Sequence, residues 1–266
     1  MNNRIGIDGG GSLIKIVFEE KGKLHFRKQR IEELDEVMRW LKIISPNKIV
    51  HLTGGRARKL KSMYFPEGKV VDEFSAVCKG ANYLMRKNGI LTNEHSLLVN
   101  IGTGTSWFKL NGEQYARVLG SGIGGGTFMG LGKIITDSGD FADLVSFAAA
   151  GEKGLVDLLV KDIYDAEEAP ISGNLTASNF AKLQGISSSS PSDKIASLIN
   201  MIAETITLLT AQTATIHRIK KVFFIGSTLA GNQPLQESLM TYCEMSSLDS
   251  NFLGNGEFSG AIGAML

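Results

Sequence analysis

Asp8 heads the stretch Asp8-Gly-Gly-Gly-Ser-Leu-Ile-Lys15, a carboxylate followed by three glycines, a hydroxyl and, seven residues on, an amine. Each of these types has a use in holding a nucleotide. Glycines remove every Cβ, so backbone N–H groups can close on phosphate oxygens and the chain can enter φ > 0. An acid beside them suits the divalent cation that accompanies those phosphates. A second set of this kind lies at Asn100-Ile-Gly-Thr-Gly-Thr-Ser106, and a third glycine cluster runs from Gly120 to Gly130. Asp72 and Glu73 offer adjacent carboxylates between Val70-Val71 and a helical run. A carboxylate at a strand end can orient or deprotonate an alcohol, and either acid has that position. Each also suits a helix N-terminus, where the dipole favours negative charge.

The elements that must position these groups are legible from periodicity. Ile5 and Ile7 alternate with small neighbours up to Asp8, and Leu13, Ile14, Ile16 and Val17 resume a strand around Lys15. The first glycine loop therefore joins two strands, which excludes the Walker loop and the Rossmann fingerprint. A third strand is predicted over 24–30. A helix over 32–44 stops at Ser45-Pro46, and a strand over 48–53 enters Gly54-Gly55. The positive charges of the basic segment Arg56–Lys61 could attract a phosphate-bearing ligand, though such a segment is more often a solvated helix face. From Ser96 the plan repeats: apolar strand, Gly/Thr loop, strand, an Asn111-Gly112 turn and a returning strand over 115–119. One such hairpin is explained by its turn alone; two point to a duplicated fold whose loops face one cleft. Helices are predicted around 131–135 and over 74–87, 141–150, 154–164, 176–183, 192–217 and 235–245, with a buried strand over 222–225 and a terminal helix.

A chain of 266 residues, 43% hydrophobic and 21% charged, can build two lobes. A net charge of +1 gives no electrostatic case for nucleic acid or an anionic membrane. The N-terminus has no secretory pattern, and no apolar run reads as long enough to span a bilayer. Cys78 and Cys243 stand far apart, which argues against a disulfide framework or a zinc site and for a cytoplasmic protein. The helix over 192–217 carries Ile195, Leu198, Ile199, Ile202, Ile206, Leu209 and Ile216 in one apolar stripe, which reads as the main contact of a homodimer, with Ile202 and Ile206 in it, the alternative being a core helix.

An acidic glycine hairpin, a second Gly/Thr hairpin and a late strand ending in Gly226-Ser227 resemble, in that order, the actin, Hsp70 and sugar-kinase superfamily. Asp8–Lys15, Asn100–Ser106, Arg117-Val118, Gly124–Gly132 and Phe258–Gly263 are similar, more narrowly, to type II pantothenate kinases and to the eukaryotic pantothenate kinases. The resemblance runs nearly end to end and is most specific from Leu97 to Gly132. It implies an α/β, two-lobed actin-like (ribonuclease H-like) ATPase fold with duplicated mixed sheets flanked by helices, divided as residues 1–94 and 95–266. It implies ATP-dependent phosphorylation of the primary hydroxyl of pantothenate, the first step towards coenzyme A, by a homodimer. Of the two acids it selects Glu73 as catalytic base. It gives Asp8 to Mg²⁺. Gly9, Gly10, Gly11, Ser12, Leu13, Ile14 and Lys15, together with Thr103, go to the nucleotide phosphates. Gly125, Gly126, Thr127, Phe128, Met129 and Ser227 become further nucleotide contacts. Phe141 sits near adenine, where some relatives carry tyrosine, and Ser106 and Arg117 hold pantothenate. An N-acetylhexosamine kinase or a nucleotide-dependent switch ATPase is the alternative. Related zinc-bearing sugar kinases and dehydratase activators need cysteine placements that Cys78 and Cys243 do not provide.

Overall fold

A computed structural model describes residues 3–44, 47–90, 95–165, 171–185 and 189–266. The first sheet contains β1 (Arg4–Gly9), β2 (Leu13–Glu20), β3 (Lys23–Arg30), β4 (Ile49–Thr53) and β5 (Lys69–Val70), in the order β3-β2-β1-β4-β5. Strands β1 to β3 form an antiparallel meander, and β4 and β5 join parallel to β1. Helices α1 (Leu34–Ile44) and α2 (Ala57–Tyr64) cover one face, burying Met38, Leu41 and Leu60 against Ile5, Ile7, Ile14 and Ile16. Helix α3 (Glu73–Lys87) then crosses to the second half.

That half repeats the plan. Strands β6 (Ser96–Ile101), β7 (Thr105–Asn111) and β8 (Gln114–Ser121) make an antiparallel meander. Helices α4 (Gly125–Thr136) and α5 (Phe141–Ala150) follow it. After β9 (Leu158–Leu159) and β10 (Thr176–Ser178), which pair only with each other, comes α6 (Pro191–His217). Strand β11 (Lys221–Ile225) joins parallel to β6. After α7 (Gln233–Met245), β12 (Asp249–Phe252) joins parallel to β11. The order β12-β11-β6-β7-β8 matches the first sheet strand for strand, so the repeat read in the two glycine hairpins is a repeat of whole sheets. The last helix, α8 (Ser259–Met265), returns to the first half, where Ala261, Ile262 and Met265 pack with Val17 of β2 and Leu84 of α3.

Three expectations are corrected. The helices predicted over 154–164 and 176–183 are short 3₁₀ turns around β9 and β10. The cause is Asp157, fully buried: it accepts hydrogen bonds from Ser197 Oγ, from Asn200 Nδ2 at 3.1 Å and from the Phe180 N–H at 2.9 Å. This carboxylate folds the segment onto α6, against its own helical spacing. The stripe on α6 is core as far as Ile206: Ile195, Leu198, Ile199, Ile202 and Ile206 are each 2% exposed or less, whereas Ile216 near its end faces outward, and Trp107 Nε1 donates to Thr210 Oγ1 at 2.8 Å to lock the helix onto the sheet. Ile202 and Ile206 are therefore not interface residues. By length and hydropathy α6 could cross a bilayer, contrary to the reading that no apolar run is long enough, yet it is built into the lobe core. The helix stop at Ser45-Pro46, and parts of the loop at 167–173 and of the serine tract at 187–190, lie outside the described residues.

Candidate active site

Asp8 ends β1 opposite Lys15 of β2, and the two form an ion pair at 3.7 Å with both side chains about one-eighth exposed. Two glycines hold the carboxylate. A Cβ on Gly54, whose φ is +85°, would lie 2.5 Å from Asp8 Oδ1, and one on Gly260 would lie 2.7 Å from Oδ2. In the parallel register with β4, Asp8 neighbours Thr53, whose buried Oγ1 has no partner among the described residues.

The first glycine loop is shaped from outside. Arg56 donates from its backbone N–H to Gly9 O at 3.0 Å, from Nε to Gly10 O at 3.1 Å and from Nη2 to Gly11 O at 3.2 Å. The basic segment read as a solvated face thus begins with a residue turned inward onto the loop. Across the cleft, Gly11 faces the second loop: a Cβ there would sit 3.5 Å from Thr103 Oγ1. The second loop is braced in turn. Gly102 O accepts from the Gly125 N–H at 2.8 Å and from Thr228 Oγ1 at 2.9 Å, and Thr103 O accepts from the Gly126 N–H at 2.8 Å. Gly125 and Gly126 therefore spend their amides on this loop and bring the N-terminus of α4, with its partial positive charge, beside Thr103. Thr127 caps that helix from within, its Oγ1 accepting from the Gly124 N–H at 3.4 Å and donating to Gly122 O at 3.1 Å. Phe128 is fully buried beneath it and Met129 packs against the same core. Phe141, at the start of α5, meets Phe128 edge-on with ring centroids 5.8 Å apart. Ser227 follows β11 half-buried, next to the Thr228 that staples the second loop.

Asp72 and Glu73 separate cleanly. Asp72 is the N-cap of α3, its side chain accepting from the Ser75 N–H at 2.8 Å. Glu73 opens the helix beside it, accessible to water but walled by protein. Burial and then the negative charge of Asp8 raise its pKa above the ordinary carboxylate value, against the lowering pull of Lys15. Phe74 connects this end of α3 to the second sheet: its ring lies 5.5 Å from Phe108, and the Arg117 guanidinium sits 5.1 Å above it. Arg117 also lies over Gly120, the β8 partner of Ser106, so Ser106 and Arg117 meet the Glu73 end of α3 at one place. Asp8 reaches the cleft from the first sheet, Glu73 from the start of α3, and Thr103, Ser106 and Arg117 from the second sheet and its loop. Such a cleft can hold a phosphate chain between two backbone loops while a carboxylate with elevated proton affinity faces an alcohol.

A family model described as Fumble matches residues 4–266. A type II pantothenate kinase of Oceanobacillus iheyensis is 41% identical over 263 residues, 99% of this chain and 98% of that protein. The chain belongs to the type II pantothenate kinase family. Among solved structures, the activator of the 2-hydroxyisocaproyl-CoA dehydratase from Clostridium difficile, with bound ADPNP, superposes with a TM-score of 0.67 at 16% identity, covering 98% of this chain and 92% of that one. A ROK family glucokinase from Streptomyces griseus, in complex with glucose and AMPPNP, gives 0.59 at 12% identity over 98% and 97%. At such identities these likenesses establish the fold, the two-lobed actin-like architecture, which this pantothenate kinase family member shares.

Phe74, Thr228 and Gly260 went unremarked as site residues in the sequence, and Arg56 was noted only as part of a basic segment that could attract phosphate. The signal for Gly260 was its place in Phe258–Gly263; the others act through tertiary contacts that no local pattern encodes. A separate cavity of about 750 Å³ in the second half, lined by Lys153, Asn200, Tyr242 and Gln233 among others, contains none of the cleft residues.

Proposed function

We propose that this protein transfers the γ-phosphoryl group of ATP to the primary hydroxyl of pantothenate, feeding coenzyme A biosynthesis. The observation that carries the reading is one cleft in a chain of this family where both phosphate hairpins, Asp8, Glu73 and Arg117 converge. Glu73 accepts the hydroxyl proton as that oxygen bonds to phosphorus, its raised pKa matching it to a proton that an ordinary carboxylate takes weakly. Arg117 and Ser106 hold pantothenate, the guanidinium fork suiting its carboxylate or amide oxygens. The loop of Gly9 to Ser12, with Leu13, Ile14 and Lys15 behind it, and Thr103 hold the phosphates. Gly125 to Thr127, Phe141 and Ser227 flank the nucleoside side; Phe128, fully buried, and Met129, packed on the same core, support that helix from beneath instead of contacting the nucleotide as the resemblance implied.

The donor set fits Mg²⁺. Among the described residues no cluster of three or more acidic, His or Cys ligands exists, and a lone, oriented carboxylate is what a cation needs that keeps its waters and shares phosphate oxygens. Asp8 would hold it or its water shell, and the ion would supply neutralisation of phosphate charge. Both cysteines are buried with their thiols pushed up by desolvation to about 12 for Cys78 and about 11 for Cys243, which disfavours the cluster-bearing switch alternative. We assign a homodimer with a revised contact: Leu208 and Ile216 of α6, the latter the outward-facing end of the stripe, are 60% and 74% exposed.

An ATP-consumption assay with pantothenate, with N-acetylglucosamine and with neither tests the assignment. Turnover should depend on pantothenate; turnover with the amino sugar, or with no acceptor, overturns it.

A further inference from the structure

We propose that Arg56 is a positioning residue that presents the amides of the first glycine loop to the nucleotide phosphates, and that it acts through carbonyl hydrogen bonds, not through its charge. This rests on the kinase reading of the cleft. In a trans peptide the C=O of one residue and the N–H of the next point in opposite directions, and no cis bond occurs among the described residues. Arg56 Nε and Nη2 draw the Gly10 and Gly11 carbonyls to one side. The N–H groups of Gly11 and Ser12 are thereby turned to the other, away from Arg56, on a loop whose Gly11 faces Thr103. Two successive N–H groups on one side form an anion-binding concavity. The Gly10 N–H on Leu13 O at 3.0 Å closes the turn but leaves the Gly10–Gly11 and Gly11–Ser12 peptides free to rotate, because glycine has no Cβ to limit φ and ψ. The Arg56 backbone N–H on Gly9 O and the Gly54 turn beneath Asp8 anchor the same clamp to β1.

Two uncharged substitutions separate hydrogen bonding from charge. In Arg56→Gln, Nε2 sits the same number of bonds from the backbone as the arginine Nε and can donate to Gly10 O. Arg56→Met has similar length and no donor. The expected result is an ATP KM raised about tenfold in Arg56→Met, which loses both side-chain bonds to the loop carbonyls, and no more than about threefold in Arg56→Gln, with the pantothenate KM of both unchanged. Calorimetry with AMPPNP and with adenosine, in the absence of pantothenate, reads the loop directly: Arg56→Met should weaken AMPPNP and leave adenosine alone. Equal losses in the two variants would assign the effect to charge and overturn the proposal, as would a wild-type ATP KM in Arg56→Met. If wild type fails to phosphorylate pantothenate while AMPPNP binding follows the stated order, the function assignment falls and the role of Arg56 stands. Should Arg56→Met not fold, Arg56→Gln decides: AMPPNP affinity more than about threefold below wild type overturns the proposal.

Discussion

Burial and the negative charge of Asp8 both oppose ionisation of Glu73, and this makes a prediction that a structural acid would not. Glu73→Gln should cut turnover about a hundredfold or more while nucleotide binding survives. Because the folded state holds the Glu73 proton more tightly than the unfolded chain, its stabilising contribution is complete below the ordinary glutamate range and is lost as pH rises through the raised value. Glu73→Gln should therefore melt at or above the wild-type temperature at neutral pH, and the acid limb of the wild-type activity profile should lie above that of an unperturbed glutamate. A melting temperature well below wild type, with turnover retained, would make Glu73 a structural residue. Asp8→Asn should weaken use of Mg·ATP far more than pantothenate binding, and calorimetry with each ligand separates the two; equal losses would mean that Asp8 supports the fold.

At the scale of elements, the α3–α8 crossing sets where Glu73 stands. A Cβ on Gly80 would come within 1.9 Å of Ser259 O, and one on Gly263 within 1.8 Å of Ala76 O. The two helices thus touch backbone to backbone, and α8 pins α3 to β1 and β2. Gly263→Ala must push them apart at a cost of about 2–3 kcal/mol, seen as a fall in melting temperature of roughly 5–10 °C. Since Glu73 heads α3, turnover should fall beyond what the lost stability explains. An unchanged melt would mean that the crossing tolerates a methyl group and does not position the base.

For the whole molecule, the two halves are tied at the cleft rim by Arg30 of β3 to Asp140 at 2.7 Å and by Lys28 to Glu257 at 2.9 Å. The surface left over includes the outer face of α6. Leu208→Asp with Ile216→Asp should give a soluble monomer with its ATP site intact, read by light scattering and AMPPNP binding. A monomeric wild type would defeat the homodimer. The same pair of changes at Ile202 and Ile206 should unfold the second half, because both side chains lie in its core.

Two hairpins, their loops and their duplication were legible in the sequence because glycine runs and alternating strands are local signatures, governed by the φ, ψ and Cβ of a few neighbouring residues. The resemblance to the pantothenate kinases rested on the same stretches. Periodicity also found α6, but a stripe of isoleucines looks alike whether a sheet or a second copy covers it, so only packing decided that Ile202 and Ile206 are core. The 3₁₀ turns around β9 went unread because Asp157 finds its partners on α6, some forty residues away in sequence. Asp72 and Glu73 were indistinguishable as neighbours in sequence; the tertiary structure separates them by giving one a capping bond and the other a cleft. Arg56 could be read only as a charge, because the carbonyls it holds lie 45 and 46 residues away. What local chemistry dictates is written along the chain, and what depends on which distant group desolvates or bonds a side chain is settled only when the chain closes on itself.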